Sequence, residues 1–413
     1  MKQKLSINES KCRICFSRNI LHILDLGNQP LANNLIKHPK IKEEKFPLKI
    51  FFCNKCKAAQ LSETVDPKIL FNNYYWTTST SSTAKNFSKK FFEKIIKSVK
   101  IKNPLIVEIA SNDGTYLKPF QRKYRVIGID PARNICKIAN KNGIPTINSF
   151  FNLKTSNLIK KKYGQGNIIF ARNVIAHVKN IHDLINAAFN LISKDGVFAV
   201  EFHYAKKILE DLQYDSIYHE HIFYFTIKSI KFLFKKHGLH LFDGFKSPIS
   251  GGALVLIFGK DKKKISKRLK LLEANEKKSK VNSFVTWKMF SKKVVNHSIT
   301  FRKTIEKIYD KNGKFPGYGA SARSSTILNF AKLSKNQLSF IVDKNPLKNN
   351  LYTPGSNVKI INNSIFSKKI KKYDHILLLA WNFRREILEE FKKKKYKGKI
   401  ILPLPKKTII KTL

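Results

Sequence analysis

The sequence lacks a long apolar run. Its longest uninterrupted apolar stretches, such as residues 376–381, are far shorter than the ~20 residues that a membrane-spanning helix needs. The opening residues 1–6 also lack the apolar core of a secretory signal. We therefore expect neither a membrane protein nor a secreted one, and we predict a cytoplasmic location.

Acidic residues and arginine are both scarce. The chain has 80 Lys and Arg residues against 28 Asp and Glu, a net charge of +52, and only 11 of the basic residues are arginine. Such a charge attracts polyanions, and nucleic acid is the first to consider. The lysines are spread over the whole chain, however, as a drift toward A/T-rich codons would produce. We expect nucleic acid not to be the partner, and a phosphate-bearing small substrate would suit the same charge.

Cysteine is also rare, and four of the five cysteines form two close pairs. The pairs are Cys12-x-x-Cys15 and Cys53-x-x-Cys56, separated by a gap of 37 residues. In a cytosolic chain, paired knuckles of this kind indicate a metal site rather than disulfides. Four thiolates complete a closed tetrahedral zinc site, which we predict to be structural rather than catalytic. We expect the fifth cysteine, Cys136, to be a small buried residue.

The hydrophobic pattern divides the chain into five segments. We predict a zinc-binding module over residues 1–68, an aromatic segment with a helical lead-in over 69–104, an α/β domain over 105–260, connecting helices over 261–312 and a smaller α/β domain over 313–413. Short apolar runs that alternate with helical periodicity are typical of buried parallel strands. The predicted fold class is therefore α/β, with two Rossmann-like domains behind a zinc module.

Individual elements follow from the same pattern. The expected strands are 105–110, 125–130, 167–172, 197–202, an antiparallel hairpin of 239–245 with 253–259, and then 338–343, 374–380 and 399–402. An amphipathic helix is expected over 83–100, before Pro104.

Polar residues follow the first three expected strands of the central domain. Because the carboxyl ends of parallel strands meet at one sheet edge, these residues should lie together. Asp130 is placed to accept both hydroxyls of a ribose, and the first turn lacks the G-x-G-x-x-G typical of dinucleotide sites. We predict an S-adenosylmethionine site. Its residues are Glu108, Ala110, Ser111, Asn112, Asp113, Gly114, Asp130, Pro131 and Asn173.

A second polar cluster spans residues 215–224. It places Tyr218, Glu220, His221 and Tyr224 within seven residues. Histidine exchanges a proton near neutral pH and a neighbouring carboxylate can orient it, so the cluster indicates general acid–base catalysis. A metal site or a structural hydrogen-bond network is the alternative, although the spacing differs from the H-E-x-x-H of zinc proteases.

Several motifs together resemble the family of sugar C-methyltransferases that act on nucleotide-linked 4-keto sugars. They run in order along nearly the whole chain: the two cysteine pairs, L-G-x-Q-P-L-A-N at 26–33, E-I-x-S-N-D-G at 108–114, I-Y-H-E-H at 217–221, Gly251-Gly252, Y-G-A at 318–320, Y-T-P-G at 352–355 and Trp381-Asn382. The resemblance implies a zinc-binding N-terminal domain, a class I methyltransferase domain that uses S-adenosylmethionine, and a C-terminal domain that helps to hold the sugar nucleotide.

The resemblance also implies roles for single residues. Tyr218, Glu220 and His221 match the family's catalytic residues, and His177 matches a further active-site histidine. Two positions depart from the family pattern, since Ala110 replaces a usual glycine and Ala253 replaces a frequent serine. The expected substrate contacts are Tyr74, Tyr75, Tyr224, Gly319 and Arg323, of which the two tyrosines of the aromatic stretch match only loosely.

The expected chemistry is proton removal next to a ketone. It needs a base on the C–H bond and a donor near the developing oxyanion. We assign His221 as the base and Glu220 as the group that orients either His221 or a hydroxyl of the sugar. Tyr218 and His177 are candidates to hold the ketone oxygen, and zinc takes no part.

Three other functions compete with this interpretation. An RNA or protein methyltransferase that grips its polymer through a zinc ribbon would explain the charge but not the histidine cluster. A nicotinamide enzyme would use Gly317-x-Gly319-x-x-Ala322 with Asp343, although only a very short strand could precede that turn. The same helix start could equally bind the diphosphate of a sugar nucleotide, with Arg323 as a contact. A non-enzymatic scaffold fits two site-like clusters least well.

Overall fold

A computed structural model describes residues 6–8, 10–70 and 77–413 of the chain. The zinc-binding module is a small β structure in which β2, β3 and β4 pair antiparallel. Its elements are β1 (Ser6–Asn8), β2 (Ile20–Pro30), β3 (Lys45–Cys53), β4 (Ala59–Leu61), β5 (Glu63–Val65) and α1 (Pro67–Leu70). The expected aromatic contacts Tyr74 and Tyr75 lie outside the described residues.

The central domain is a seven-stranded sheet with helices on both faces. Its elements are α2 (Ser82–Ile95), β6 (Leu105–Ile109), α3 (Lys118–Gln121), β7 (Arg125–Asp130), α4 (Arg133–Lys141), β8 (Thr146–Asn148), α5 (Leu153–Tyr163), β9 (Gly166–Arg172), α6 (Ile181–Leu191), β10 (Ile192–His203), α7 (Ala205–Glu210), β11 (Phe223–Tyr224), α8 (Ile227–Lys235), β12 (His240–Ser247) and β13 (Ala253–Gly259). The strand order is β12-β13-β10-β9-β6-β7-β8. Strands β8, β7, β6, β9 and β10 are parallel, and β13, which pairs with both β10 and β12, is antiparallel to each.

Two helices connect this sheet to a six-stranded C-terminal sheet of order β16-β15-β14-β17-β18-β19. The elements are α9 (Lys267–Lys278), α10 (Phe284–Asn312), β14 (Phe315–Tyr318), α11 (Ala322–Phe330), β15 (Leu338–Asp343), β16 (Ile360–Asn362), α12 (Asn363–Ser367), β17 (His375–Leu378), α13 (Arg384–Lys393), β18 (Lys399–Leu402) and β19 (Ile409–Thr412). All neighbouring strands are parallel except β19. Within the described ranges, no helix is both long and apolar enough to cross a bilayer.

Every expected strand is present, and in the two α/β sheets the short strands β8, β16 and β19 were not predicted. Strands of three or four residues carry too little periodicity to be recognised, so pairing with neighbours decides them. The strand before Gly319 is also longer than expected, because β14 covers four residues. The predicted helix 83–100 ends earlier, at Ile95, and a single tight turn follows it.

One strand from the central part of the chain belongs to the sheet of the zinc module. Strand β11, which follows the histidine cluster, pairs antiparallel with β4, so the module's sheet has the order β11-β4-β3-β2. One hydrophobic core also contains Cys12 and Cys53 together with strand residues of the central sheet such as Val107 and Ile169. The module therefore packs against the central domain as part of one body rather than as a tethered domain.

Candidate active site and zinc centre

The four predicted zinc ligands converge. The Sγ atoms of Cys12, Cys15, Cys53 and Cys56 all lie within 4.8 Å of one another. In each knuckle the backbone N–H four residues after the first cysteine donates to the carbonyl of that cysteine and closes the turn. Three of the four cysteines are buried. Four thiolates at tetrahedral spacing suit zinc and leave no position for a substrate, so the residues present fit a structural ion.

A cavity of about 450 Å³ opens at the carboxyl ends of β6, β7 and β9. This is the edge at which nucleotide ligands bind parallel α/β sheets. The predicted cofactor residues that line it are Glu108, Ala110, Asn112, Asp130, Pro131 and Asn173, and His177 lines it as well. Ser111, Asp113 and Gly114 belong to the same turn but are not among the lining residues.

The turn after β6 explains these different positions. Ala110 and Asn112 have φ values of 52° and 51°, in the left-handed region where glycine is easiest. Ser111 faces β7, where a Cβ on Gly128 would lie 2.3 Å from the Ser111 Oγ. The Asp113 Oδ2 accepts from the Ser79 N–H at 2.8 Å, which anchors the segment before α2 over the cavity. These side chains shape the turn around the cavity.

Two buried carboxylates face the cavity. Asp130 uses one oxygen to accept from the Asn112 N–H and the other to accept from the Ala132 N–H, both at 2.9 Å. The Glu108 Oε2 has no hydrogen-bond partner among the described residues. Burial raises the pKa of both groups, most strongly for Glu108. An orphaned buried acceptor calls for a ligand that donates, and the ribose hydroxyls and amino group of S-adenosylmethionine are such donors.

We expect Asp130→Ala to weaken S-adenosylmethionine binding tenfold to a hundredfold. A carboxylate that accepts two hydroxyls contributes roughly 1.5–3 kcal/mol. Because Asp130 also accepts from the backbone on both sides, Asp130→Asn is the matched variant, since it removes the charge but keeps the shape and one of the two acceptor oxygens. Calorimetry with each variant measures the effect, and unchanged affinity in both would exclude Asp130 from the binding site.

The histidine cluster forms a defined hydrogen-bonded pair. The His221 Nδ1 lies 2.7 Å from the Ser216 carbonyl oxygen, and its Nε2 lies 2.8 Å from the Tyr218 hydroxyl. Because a carbonyl only accepts, Nδ1 carries the proton and Nε2 presents a lone pair that receives the Tyr218 O–H. Burial is the main cause that holds the pKa of His221 well below its usual range, and the neighbouring His177 adds to it because two imidazolium charges so close together would repel. The imidazole is therefore neutral at physiological pH.

His177 joins this pair to the cavity. Its ring contacts the His221 ring at 4.8 Å between centroids, while His177 itself lines the cavity wall. Burial lowers the pKa of His177 to about 4, so it too is neutral. The predicted cofactor site and the predicted catalytic cluster are thus adjacent.

Glu220 and His219 point toward the zinc module. The Asn33 Nδ2 donates to the Glu220 Oε1 at 2.6 Å, and burial raises the pKa of Glu220 to about 7. The His219 Nε2 lies 3.2 Å from the Phe46 carbonyl. These two residues of the cluster therefore contact the N-terminal module, whereas His221 contacts the central domain.

Arg323 enters the cluster from the C-terminal domain. It donates to the Gln213 Oε1 at 2.8 Å, and its Nε lies 3.6 Å from the Asp215 Oδ2. Its Nη1 is buried without a hydrogen-bond partner among the described residues, so a donor remains for a ligand. Trp381 lies beneath its guanidinium and donates to the Asp215 Oδ2 at 2.7 Å.

The remaining predicted substrate contacts are tied into the fold. The Gly319 N–H donates to the Val342 carbonyl, and a Cβ on Gly319 would lie 2.4 Å from the Ala380 Cβ. Tyr224 is buried in β11. Asp343, which the nicotinamide alternative would use, accepts from the Ala320 N–H and pairs with Lys348.

Sequence patterns did not identify several residues of the site. Asn33, Gln213 and His203 are among them. The Gln213 Oε1 accepts from Arg323 and also lies 2.8 Å from the His203 Nε2, so Gln213 bridges the two residues. Only the L-G-x-Q-P-L-A-N motif carried a signal for Asn33, and nothing in the spacing marked the other two.

Three family models match the chain in succession. Residues 12–71 match a zinc binding domain, 84–242 a methyltransferase domain and 248–405 a C-methyltransferase C-terminal domain. The chain is similar to the C-methyltransferase NovU of Streptomyces niveus, with 29% identity over 407 residues, which cover 97% of this chain and 96% of that protein.

Solved structures also resemble part of the chain. One is a SAM-dependent methyltransferase from Anabaena variabilis, with 16% identity, a TM-score of 0.36 and coverage of 46% of this chain and 90% of that one. Another is an S-adenosylmethionine-dependent methyltransferase from Clostridium acetobutylicum, with 12% identity, a TM-score of 0.35 and coverage of 44% and 93%. Each likeness covers less than half of the chain.

Proposed function

The chain belongs to the family of S-adenosylmethionine-dependent C-methyltransferases, and from this premise we propose that it methylates a carbon next to the ketone of a nucleotide-linked 4-keto sugar, through an enolate. The observation that carries the proposal is the neutral, oriented His221, which contacts the wall of the cofactor cavity through His177. A lone pair fixed beside a methyl-donor site suits removal of a proton from carbon.

Each residue of the cluster has a separate role in the reaction. His221 takes the proton at Nε2, while its Nδ1–H stays on the Ser216 carbonyl. Substrate binding redirects the Tyr218 hydroxyl from Nε2 to the ketone oxygen, where it stabilises the growing negative charge. Glu220, when ionised, accepts a hydrogen bond from a hydroxyl of the bound sugar and orients it. S-adenosylmethionine supplies an electrophilic methyl group when bound, and zinc stays outside the reaction.

The position of Arg323 favours an anionic substrate. Its guanidinium extends from the C-terminal domain to Gln213 and Asp215, and its Nη1 has no hydrogen-bond partner among the described residues. Arginine presents a fork of donors that matches phosphate oxygens. The diphosphate of a sugar nucleotide bound there would place its sugar toward the cluster, in agreement with the proposal.

We expect methyl transfer to a sugar nucleotide and none to RNA. Incubation with labelled S-adenosylmethionine and a panel of nucleotide-linked 4-keto sugars, with RNA and protein as parallel acceptors, tests this by mass spectrometry. Charge alone should give weak, steeply salt-dependent RNA binding. Label in RNA or protein, or submicromolar binding to a defined RNA at ~150 mM salt, would favour the polymer methyltransferase instead.

A further inference from the structure

The zinc module touches the catalytic segment, residues 218–221, and its continuation at three points. Strand β4 pairs with β11 directly after the segment, in the register Phe223↔Gln60 and Tyr224↔Ala59. The Phe46 carbonyl lies 3.2 Å from His219, and Asn33 donates to Glu220. A module whose only task was to carry zinc would not need the last of these contacts.

The chain around Asn33 is fixed on both sides. Leu31 and Ala32 are buried before it, and the Asn34 N–H donates to the Leu31 carbonyl to close a turn. Ile36 then pairs with Tyr352 of the C-terminal domain through two backbone hydrogen bonds of 3.0 and 2.8 Å. Although Asn33 itself is exposed, its amide reaches a carboxylate that is only 5% exposed.

We propose that Asn33 is a positioning residue through which the zinc module holds the Glu220 carboxylate in its catalytic orientation and in its charged form. This rests on the proposed function, in which the ionised Glu220 accepts from a hydroxyl of the bound sugar. An amide N–H that donates to a carboxylate favours the ionised form and removes rotational freedom from the side chain.

Asn33 is the neighbour that most favours the charged form of Glu220. Burial raises the pKa of Glu220, and the Asn33 hydrogen bond is what opposes that rise within the described chain. The titratable groups on the same segment are Tyr218, His219 and His221, and His177 contacts His221 from the loop after β9. Burial keeps the imidazoles neutral, so none of these supplies a compensating charge.

A direct titration of Glu220 tests the proposal without any substrate. Full-length protein with ¹³C at glutamate side-chain carboxyls is followed by NMR against pH, and the Glu220 signal is identified by its loss in Glu220→Gln. We expect a midpoint near 7 in the wild type, where burial raises the pKa of Glu220 to about 7. In Asn33→Ala it should rise by about one pH unit, since the hydrogen bond to the charged form is lost. Asn34→Ala, at the exposed neighbour, should leave the midpoint unchanged.

Kinetics on a working substrate provide the second readout, through the rate at which the proton next to the ketone exchanges with solvent. Asn33→Ala should lower this rate at pH 7 about tenfold and move the acid limb of its pH profile upward by the same one unit, whereas Asn33→Gln should recover part of the loss. A purely structural role would change the rate without moving the limb. An unmoved NMR midpoint in Asn33→Ala overturns the proposed role of Asn33, whether or not a 4-keto sugar is turned over. A moved midpoint without turnover of any 4-keto sugar overturns only the proposed substrate.

Discussion

His221→Ala should lose at least about a hundredfold in exchange of the substrate proton next to the ketone. If His221 removes that proton, its exchange with solvent is catalysed even when no methyl group can move. Incubation of the keto sugar in D₂O with S-adenosylhomocysteine isolates the step, and mass spectrometry reads the deuterium. The wild type should incorporate deuterium at the carbon destined for methylation, and the variant should lose both exchange and methylation.

Matched variants distinguish a loss of catalysis from a loss of folding or of cofactor binding. His221→Ala should still bind the cofactor, because the residue is not among those that line the cavity. Glu220→Gln should lose less, since the amide retains part of the orientation. Tyr218→Phe should slow exchange, because it removes the hydroxyl that lies 2.8 Å from the His221 Nε2. Full exchange in His221→Ala would assign the base elsewhere, with His177 next.

The second large effect concerns zinc. We expect Cys53→Ser to lose metal and solubility together, because the free energy of metal binding is folding free energy in a site of this kind, about 10–16 kcal/mol in zinc-finger peptides. Cys53 ends β3, and the knuckle that it begins leads into β4, the strand that pairs with β11. Loss of zinc should therefore also displace the catalytic segment. Metal analysis and thermal unfolding, with and without chelator, measure these effects.

Cys136→Ser is the control for this experiment. Cys136 is buried on α4 and lies outside the cysteine cluster, and burial raises its pKa to about 11. It should keep full zinc content and exchange activity. Zinc that exchanges freely from the wild type without loss of fold would contradict a structural role.

The local features of this enzyme were predictable from its sequence because they depend on short-range chemistry. Two C-x-x-C turns each bring two thiolates together, and continuous apolar runs that alternate with helical periods specify buried parallel strands. Asp130 ends one of these runs, and the carboxyl end of a parallel strand lies at the sheet edge, so its place in the cavity wall follows from the pattern alone. The cysteine cluster, the α/β class and the antiparallel hairpin of the central sheet were all predicted in this way.

Tertiary structure alone decided how the domains combine at the catalytic segment. No sequence pattern relates Asn33 to Glu220, which are 187 residues apart, or Arg323 to Gln213, because such contacts depend on packing between domains. The two-residue strand β11 is too short to have a period and exists only because β4 offers it a partner. The roles of single residues in the turn after β6 were likewise not predictable from its motif. Some of its side chains line the cavity, whereas others hold the backbone around it.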